Sequence, residues 1–240
     1  MAIIAPVTGL PGMRTAQTAT PRIIFRGGWP LSFHAGGAYI SGTYSRDPTN
    51  TGDLDVLRPG LLMGRRTSGN LFAPSVMGVT TGAVAVAATS ISAAAATITE
   101  LVRRVGSSGT FKLTGPPSAN GVVITETITY SAASGTTITC TATVNAFVSG
   151  SFIQPTDGSE TPLTLIPDEE GGVFGGIKVT DTDNSTNLTV QFSAPPRSGD
   201  IISTQILPAW PTDTSLQAWI MARLNGPGGG HFNFSHIMTG

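Results

Sequence analysis

Threonine alternates with apolar residues along positions 137–144, the most regular stretch of the chain. Every odd-numbered position is threonine, and the even-numbered positions are Ile138, Cys140, Ala142 and Val144. Because successive side chains of a β-strand point to opposite faces, this pattern predicts a strand with one buried face and one hydroxyl-rich face. Cys140 is accordingly expected to be a small buried hydrophobic residue. This strand is predicted over 136–144. Strands are also predicted over 110–114 and 122–131, with residues 132–135 closing a hairpin between the second and third strands.

The predicted strand over 122–131 carries one charged residue, Glu126, on an otherwise apolar face. The other residues of that face are Val122, Ile124, Ile128 and Tyr130. We expect these four side chains to be buried and Glu126 to be the exception, because one face of the strand must cover a core.

A helix is predicted over residues 93–105. Its apolar residues recur on one face: Ala94, Ile98, Leu101, Val102 and Val105. Ser92 is expected to cap the N-terminus, and Gly106 to end the helix in the left-handed conformation that glycine tolerates. Arg103 and Arg104 fall in the last turn, where the helix dipole favours cations, so we expect a solvated helix end rather than an anion site.

Two separate pieces, 53–80 and 151–168, combine short apolar runs with turn residues. The turns are Pro59-Gly60 and Ser68-Gly69-Asn70 in the first piece, and Asp157-Gly158 and Pro162 in the second. Short strands with hairpin turns at close intervals are typical of a small β-barrel or sandwich. The part between them, 81–151, is predicted to be an inserted subdomain made of the helix and a β-meander.

Further strands are predicted over 174–179, 188–192 and 201–207, the first of them after an acidic turn at 168–172. A short helix then begins at Asp213 or Ser215 and ends at Gly226. Its apolar residues follow helical spacing: Leu216, Trp219, Ile220 and Leu224. Three glycines at 228–230 lead into a tail with Phe232 and Phe234, and Trp219 together with these two residues forms a possible second interface. The tail either docks on a partner or completes the chain's own core, and the pattern allows both.

The N-terminal segment, 1–50, shows neither helical nor strand periodicity. Proline and glycine recur along it and disfavour regular structure. Its large apolar residues are too numerous for a solvated tail, and five of them are expected to contact a partner: Ile23, Ile24, Phe25, Trp29 and Phe33. We therefore predict an extended arm that binds a neighbouring subunit. The alternative is that this segment packs on its own domain as edge strands.

Composition supports an assembly component and not a nucleic-acid-binding protein. Charged residues make up 11% of the chain, against ~25% in ordinary soluble domains. So low a charge suits a surface that is covered by partners. The net charge is −1 and the basic residues are scattered, so the stripe that phosphate neutralisation requires is absent from the sequence. The single cysteine excludes an intramolecular disulfide, and no apolar run approaches the ~20 residues of a membrane helix.

The sequence contains no recognisable catalytic, metal-binding or cofactor-binding motif. The motifs of nucleophilic hydrolases, nucleotide-binding loops and zinc peptidases are not present. His231 and His236 are five residues apart, which places them on different faces, and His34 lies among glycines. Asp181 begins an Asx-rich turn that lacks the glycine and glutamate of a calcium loop. Asp168, Glu169 and Glu170 are expected to be solvated acids of a turn, and the chain is not expected to be an enzyme.

The segments LRPGLLMGRRTSGNLFAP (57–74) and DGSETPLTLI (157–166) resemble the head decoration proteins of tailed bacteriophages, the lambda D-like family. The shared pattern is an apolar strand, a turn, a strand ending in Ala-Pro, and an Asp-Gly turn before another apolar strand. The chain departs from that pattern because about eighty residues separate the two segments, where small members have far fewer.

This resemblance implies a mainly β fold with a small barrel-like or β-tulip-like decoration domain, here formed by 51–80 and 152–212. The rest of the predicted organisation is the arm at 1–50, the insertion at 81–151, and the helix and tail at 213–240. The resemblance also implies a capsid cement protein: a homotrimer on the outer surface of the virion that bridges major capsid protein subunits. The N-terminus lacks the basic region of a signal peptide, so synthesis in the host cytoplasm is expected. Deleting residues 1–50 is then expected to leave a soluble trimer that no longer binds heads.

A different class of function is also open. The threonine-rich insertion could belong to a head-fibre or tail-associated adhesin that binds host glycans. Glycan sites usually present exposed aromatic rings, and the insertion offers three candidates: Phe111, Tyr130 and Phe147.

Overall fold

The protein is mainly β, as the sequence predicts. The computed structural model describes residues 25, 32–33, 38–50, 53–167, 169–170, 173–174, 177–179, 189–192, 195–200, 211–227 and 230–233. The helices in these residues are α1 (Ala95–Arg104) and α2 (Thr214–Leu224). The strands are β1 (Ser32–Phe33), β2 (Ala38–Ser41), β3 (Val56–Leu57), β4 (Leu62–Arg65), β5 (Phe72–Pro74), β6 (Gly78–Val79), β7 (Ser90–Ser92), β8 (Gly109–Gly115), β9 (Ile124–Ser134), β10 (Thr137–Cys140), β11 (Phe152–Gln154), β12 (Pro162–Leu165), β13 (Glu169–Glu170), β14 (Val173–Phe174), β15 (Ile177–Lys178), β16 (Thr189–Phe192), β17 (Pro196–Asp200) and β18 (His231–Asn233).

The largest sheet has six antiparallel strands in the order β6-β11-β8-β9-β10-β7. It curls until its two edges meet, because Thr80 after β6 pairs with Ala93 after β7. The amide of Thr81 also donates to the carbonyl oxygen of Ser92 at 2.9 Å. The curled sheet encloses a core that includes Phe111, Ile128 and Ile138, and α1 packs Ile98 and Leu101 against this core. Cys140 is buried in the same core, which confirms its prediction.

The start of α1 differs from the prediction. Ser92 lies in β7, and the N-cap is Ala94, which makes no side-chain hydrogen bond. The residues expected to open the helix instead complete the last pairing of the curled sheet. Its end matches the prediction, since Gly106 follows the helix with a φ of +126°.

The prediction that Val122 and Val144 are buried in the core of the meander is wrong. Val122 and Val144 are 83% and 75% exposed. The alternation reverses beyond Cys140, because Thr143 turns inward and is buried. Glu126 accounts for the change at this point: its carboxylate accepts hydrogen bonds from the amides of Val144 and Asn145 at 2.8 and 2.9 Å, and so holds a loop rather than a strand. β9 also continues to Ser134, so the hairpin turn is shorter than predicted.

A second sheet brings together the two pieces that were predicted to form short strands. Its order is β12-β4-β5-β2-β16. β4 is antiparallel to both β5 and β12, so strands from 57–74 and 157–166 lie side by side. Turn residues behave as predicted, since Gly60, Gly69 and Gly158 adopt positive φ angles between +75° and +101°.

The N-terminal segment is not an independent arm over its whole predicted length. β2 lies inside the second sheet, between β5 and β16. Residues 38–50 therefore belong to the folded body, and Asp47 is completely buried with an ion pair to Arg58 at 2.6 Å. β2 pairs with β16 along all four of its residues and with β5 at Ile40, so its backbone hydrogen-bonding groups are engaged within the chain rather than extended to a partner.

The predicted boundaries of the insertion fall inside the six-stranded sheet. β6 and β11 belong to the segments assigned to the decoration domain, whereas β8 and β9 belong to the insertion. Because β11 pairs with both β6 and β8, the inserted residues extend a sheet of that domain.

The C-terminal helix follows its prediction closely. Asp213 is the N-cap, and its carboxylate accepts from the amides of Ser215 and Leu216 at 3.0 and 3.1 Å. The buried residues of α2 are Leu216, Ile220 and Leu224. They pack in a second core together with Phe25, Leu62, Val76, Phe152, Leu165 and Phe232.

Residues beyond Pro167 form short pairings in the described part of the chain. Glu169 and Glu170, expected in a turn, form β13 and pair with β14. The predicted strand over 174–179 is divided between β14 and β15, and β15 pairs with β3. β17 is parallel to β18 and antiparallel to β1. The predicted strand over 201–207 lies outside the described residues.

Gly64 in β4 lies very close to the backbone of the segment that leads into β12. A Cβ atom at this position would overlap the backbone carbonyl oxygens of Ser159 and Thr161. We expect Gly64→Ala to lower the free energy of unfolding by roughly 1–3 kcal/mol, because backbone atoms must move to admit it. Urea unfolding of this variant and of Gly82→Ala measures the effect. Gly82 has open space around its Cβ position, so the control is expected to stay near the wild type.

Candidate partner-binding surface

Two of the residues predicted to contact a partner lie in the chain's own core. Phe25 is fully buried, and its ring centroid is 6.3 Å from that of Phe232, which is itself 5% exposed. Both side chains pack with α2 and with Leu62. Phe25 is therefore not available to a partner, which corrects its assignment to the arm contact and agrees with the alternative of packing on its own domain. For Phe232 the sequence left docking and own-core burial open, and the structure shows own-core burial. Burial within the same chain avoids the loss of translational freedom that binding to another subunit involves.

The other predicted contact residues are placed as follows. Phe33 lies in β1, where its backbone pairs with Pro196. Trp219 is partly buried beside the second core, with its ring 6.0 Å from the ring of Phe152. Ile23, Ile24, Trp29 and Phe234 lie outside the described residues.

A buried ion-pair network joins α1 to the two pieces that carry the family resemblance. The side chain of Arg104 is 1% exposed. Its Nη1 donates to the carbonyl oxygen of Pro74 at 2.5 Å. Its Nη2 donates to Asp157 at 3.2 Å and to the hydroxyl of Ser159 at 2.5 Å. The expectation of a solvated helix end is wrong for this arginine, because its partners lie 30 to 55 residues away in the sequence.

Asp157 is the centre of this network. Its Oδ2 also accepts from Nε of Arg66 at 3.0 Å, and its Oδ1 accepts from the hydroxyl of Ser159 at 2.6 Å. The Arg66 guanidinium lies 3.5 Å from the centroid of the Tyr44 ring, a cation–π geometry. The Asp157 carboxylate thus connects the turn at 157–159 to the end of α1 through Arg104 and to the end of β4 through Arg66, and Arg104 in turn reaches Pro74 at the end of β5.

Burial alone would raise the pKa of Asp157, but the adjacent Arg104 guanidinium and the hydrogen bonds from Ser159 outweigh it and hold the pKa below its usual value. For Arg104, burial lowers the pKa, and the carboxylates of Asp157 and Glu100 oppose that effect. A guanidinium stays protonated in proteins, so the pair is ionised at neutral pH.

The lowered pKa of Asp157 predicts acid sensitivity with a definite sign. A carboxylate whose pKa is depressed in the folded state stabilises the fold above its unfolded pKa, about 3.9, and this contribution is lost as the pH falls through the folded value. We expect the difference in melting temperature between the wild type and Asp157→Asn to be constant from about pH 7 to 5 and to narrow below about pH 4. Thermal unfolding of both proteins across this range measures it. If the difference in melting temperature between the two proteins stays the same down to the lowest pH measured, the lowered pKa of Asp157 is contradicted.

One face of the six-stranded sheet is covered with exposed hydroxyl groups, as the alternation predicts. The exposed serines and threonines of β7, β9 and β10 with the adjacent Thr141 are Ser90, Ser92, Thr125, Thr127, Thr129, Ser131, Ser134, Thr137, Thr139 and Thr141. The three aromatic candidates for glycan stacking are buried beneath this face: Phe111, Tyr130 and Phe147 are at most 2% exposed. The face can therefore donate and accept hydrogen bonds, but these rings are not available for stacking on a sugar.

The described part of the chain has neither a metal-binding cluster nor a membrane-spanning helix. No group of three or more histidine, cysteine or acidic residues there could hold a metal ion. His231 is exposed in β18, and His34 and His236 lie outside the described residues. Neither α1 nor α2 is long and apolar enough to cross a membrane. Burial raises the pKa of the Cys140 thiol, with a smaller contribution from the Glu126 carboxylate.

Comparison with known proteins gives no relative: no family model, no curated protein and no solved structure matches the chain.

Proposed function

We propose that the chain is a bacteriophage capsid decoration protein that binds the outer surface of the mature head and stabilises it by bridging major capsid protein subunits. The observation that carries the proposal is the meeting of 57–74 and 157–166, the segments that resemble the decoration family. They are separated by about eighty residues in the sequence, yet they supply the adjacent strands β4, β5 and β12. Asp157 of the Asp-Gly turn then binds Arg66, directly after β4.

The low charge of the chain supports the same proposal. Only 11% of its residues are charged, which suits a protein whose surface is largely covered in an assembly. A ligand that binds the expanded shell better than the unexpanded one stabilises the expanded state by mass action. If the chain is a homotrimer, three weak contacts on neighbouring subunits also raise the effective concentration of each. No enzymatic step or cofactor enters this mechanism.

The competing proposal, an adhesin that binds host glycans, is supported by the exposed hydroxyl face of β7, β9 and β10. It is weakened by the burial of Phe111, Tyr130 and Phe147 in the same part of the chain. We therefore favour decoration of the capsid. Binding of the purified chain to host cells rather than to heads would favour the adhesin instead.

Cosedimentation tests the proposal. The purified chain is mixed with undecorated heads of the phage that encodes it, in unexpanded and expanded form, and the mass of the free protein is measured by light scattering. We expect saturable binding to expanded heads, weaker binding to unexpanded heads, and a trimeric mass. Binding to host cells with no binding to either form of head would overturn it.

A further inference from the structure

One end of the curled six-stranded sheet is formed by three loops without a charged side chain. The loops are residues 82–88, 116–123 and 141–148, and we call them together the tip. They adjoin one another, because Val84 pairs with Phe147 and the amide of Val148 donates to the carbonyl oxygen of Pro116 at 3.0 Å. Aspartate, glutamate, lysine, arginine and histidine are all absent from these segments.

The tip carries the three most exposed large hydrophobic side chains of the described residues. Val86, Val122 and Val144 are 62%, 83% and 75% exposed. Single exposed hydrophobic residues are ordinary on a protein surface. Three on adjoining loops are less ordinary, and clustered exposed apolar side chains mark interaction sites. The carboxylates of Glu126 and Asp213 lie beside these loops, where they accept hydrogen bonds from the amides of Val144 and Asn120.

Hydrogen bonds from neighbouring residues fix two of these loops. The hydroxyl of Thr143 donates to the carbonyl oxygen of Ala85 at 2.7 Å and accepts from the amide of Ala88 at 3.1 Å. The carboxylate of Glu126 accepts from the amide of Val144 at 2.8 Å. Ala87 is held between them with a φ of +59°, a conformation that non-glycine residues rarely adopt. Val86 and Val144 are thus presented on a preformed backbone, so binding would not have to order them.

The third loop is fixed to α2. The amide of Asn120 donates to the Asp213 carboxylate at 2.7 Å, and the hydroxyl of Thr214 donates to the Asn120 side chain at 2.6 Å. Asn120 also has a positive φ, +57°. Two of the three described non-glycine residues with positive φ therefore lie in the tip. Asparagine tolerates this conformation, so Ala87 is the strained residue of the two, and backbone strain tends to collect at binding sites.

We propose that the tip is the surface of this chain that rests on the protein shell, and that its partner there is a neutral, apolar patch of the major capsid protein. This inference rests on the proposed function. The absence of cationic side chains from the tip disfavours nucleic acid and anionic lipid, both of which require them. Three valine side chains are too small a surface for the roughly 800 Å² per partner of a stable two-body interface, which disfavours an isolated pair of chains. On a repetitive lattice, several such small contacts act together.

Two single variants place a charge on the proposed contact: Val122→Lys and Val144→Lys. The matched control is Tyr39→Lys, because Tyr39 is 56% exposed but lies in β2, outside the tip. Since all three side chains are exposed, the melting temperatures are expected to stay near the wild type. We expect each tip variant to bind expanded heads roughly tenfold or more weakly than wild type in cosedimentation, and the control to bind normally.

Each result decides between the two proposals or rejects both. If the wild type does not bind heads, the proposed function fails and this inference fails with it. If the wild type and both tip variants bind equally, the inference alone is overturned. A tip variant that sediments free as a smaller oligomer than the wild type assigns the tip to contacts between copies of this chain. Binding of the wild type to neutral phosphatidylcholine vesicles, lost in the tip variants, assigns it to a lipid surface. Either of these two outcomes overturns the proposal that the tip contacts the protein shell.

Discussion

Replacing Asp157 by asparagine is expected to lower the free energy of unfolding by about 3 kcal/mol, because it leaves a buried guanidinium without its opposite charge. Arg104 is 1% exposed and cannot be solvated in the folded state. Asparagine keeps the approximate size of the side chain, but its NH2 group cannot accept the hydrogen bonds that one carboxylate oxygen receives from Arg66 or Ser159, so an acceptor is lost together with the charge. The value stands near the lower end of the range for broken buried pairs, because Asp157 is 23% exposed and Glu100 is also close to Arg104.

Urea unfolding of a double-mutant cycle measures this effect. The variants are Asp157→Asn, Arg104→Met and the two together. Removing both charges also removes the uncompensated cation, so the double variant is expected to be less destabilised than the sum of the single variants. If the losses in free energy of unfolding of the two single variants add up to that of the double variant, the proposed interaction between Asp157 and Arg104 is contradicted. Arg46→Met is the control, because Arg46 is 37% exposed where Arg104 is 1% exposed, and ion pairs with exposed partners contribute up to about 1 kcal/mol.

The Arg104 network also explains how the insertion is held. α1 belongs to the inserted residues, whereas Pro74, Asp157 and Ser159 belong to the segments that resemble the decoration family. Loss of the ion pair is thus expected to loosen the end of α1 from the turn at 157–159, and to affect both parts of the chain in one transition. Breaking contacts between parts that share a sheet destabilises them together.

The features that follow from neighbouring residues could be predicted from the sequence. Asp213 caps α2 through amides two and three residues away, and the turn glycines need only their local backbone. Strand alternation at 137–141 is equally local, since it depends on which face of β10 is buried. The mainly β class and the pairing of β4 with β5 around the Ser68-Gly69-Asn70 turn have the same origin.

The features that depend on distant residues could not be predicted. Nothing near Arg104 in the sequence indicates that Asp157 and Ser159 lie beside it, and the dipole argument alone favoured a solvated end. Val144 follows the alternation of its strand but is turned outward by Glu126, eighteen residues earlier. Apolar residues in a segment without periodicity likewise indicate burial, but they do not indicate whether the core that buries them belongs to the same chain.

Phe25 is buried in the core of its own chain, and Phe25→Ala is expected to lower the free energy of unfolding by about 3–5 kcal/mol. The side chain is fully buried against Phe232 and α2, so its removal leaves a cavity in the second core. The control is Tyr39→Ala, which removes an aromatic ring that is 56% exposed and is expected to change stability much less. Urea unfolding measures both variants. By the same argument, deletion of residues 1–50 removes Phe25 and the paired strand β2, and we expect an unfolded or aggregated product in place of a soluble trimer. If Phe25→Ala kept wild-type stability but lost binding to heads, the burial described here would be contradicted and the N-terminal segment would be a partner-binding arm after all.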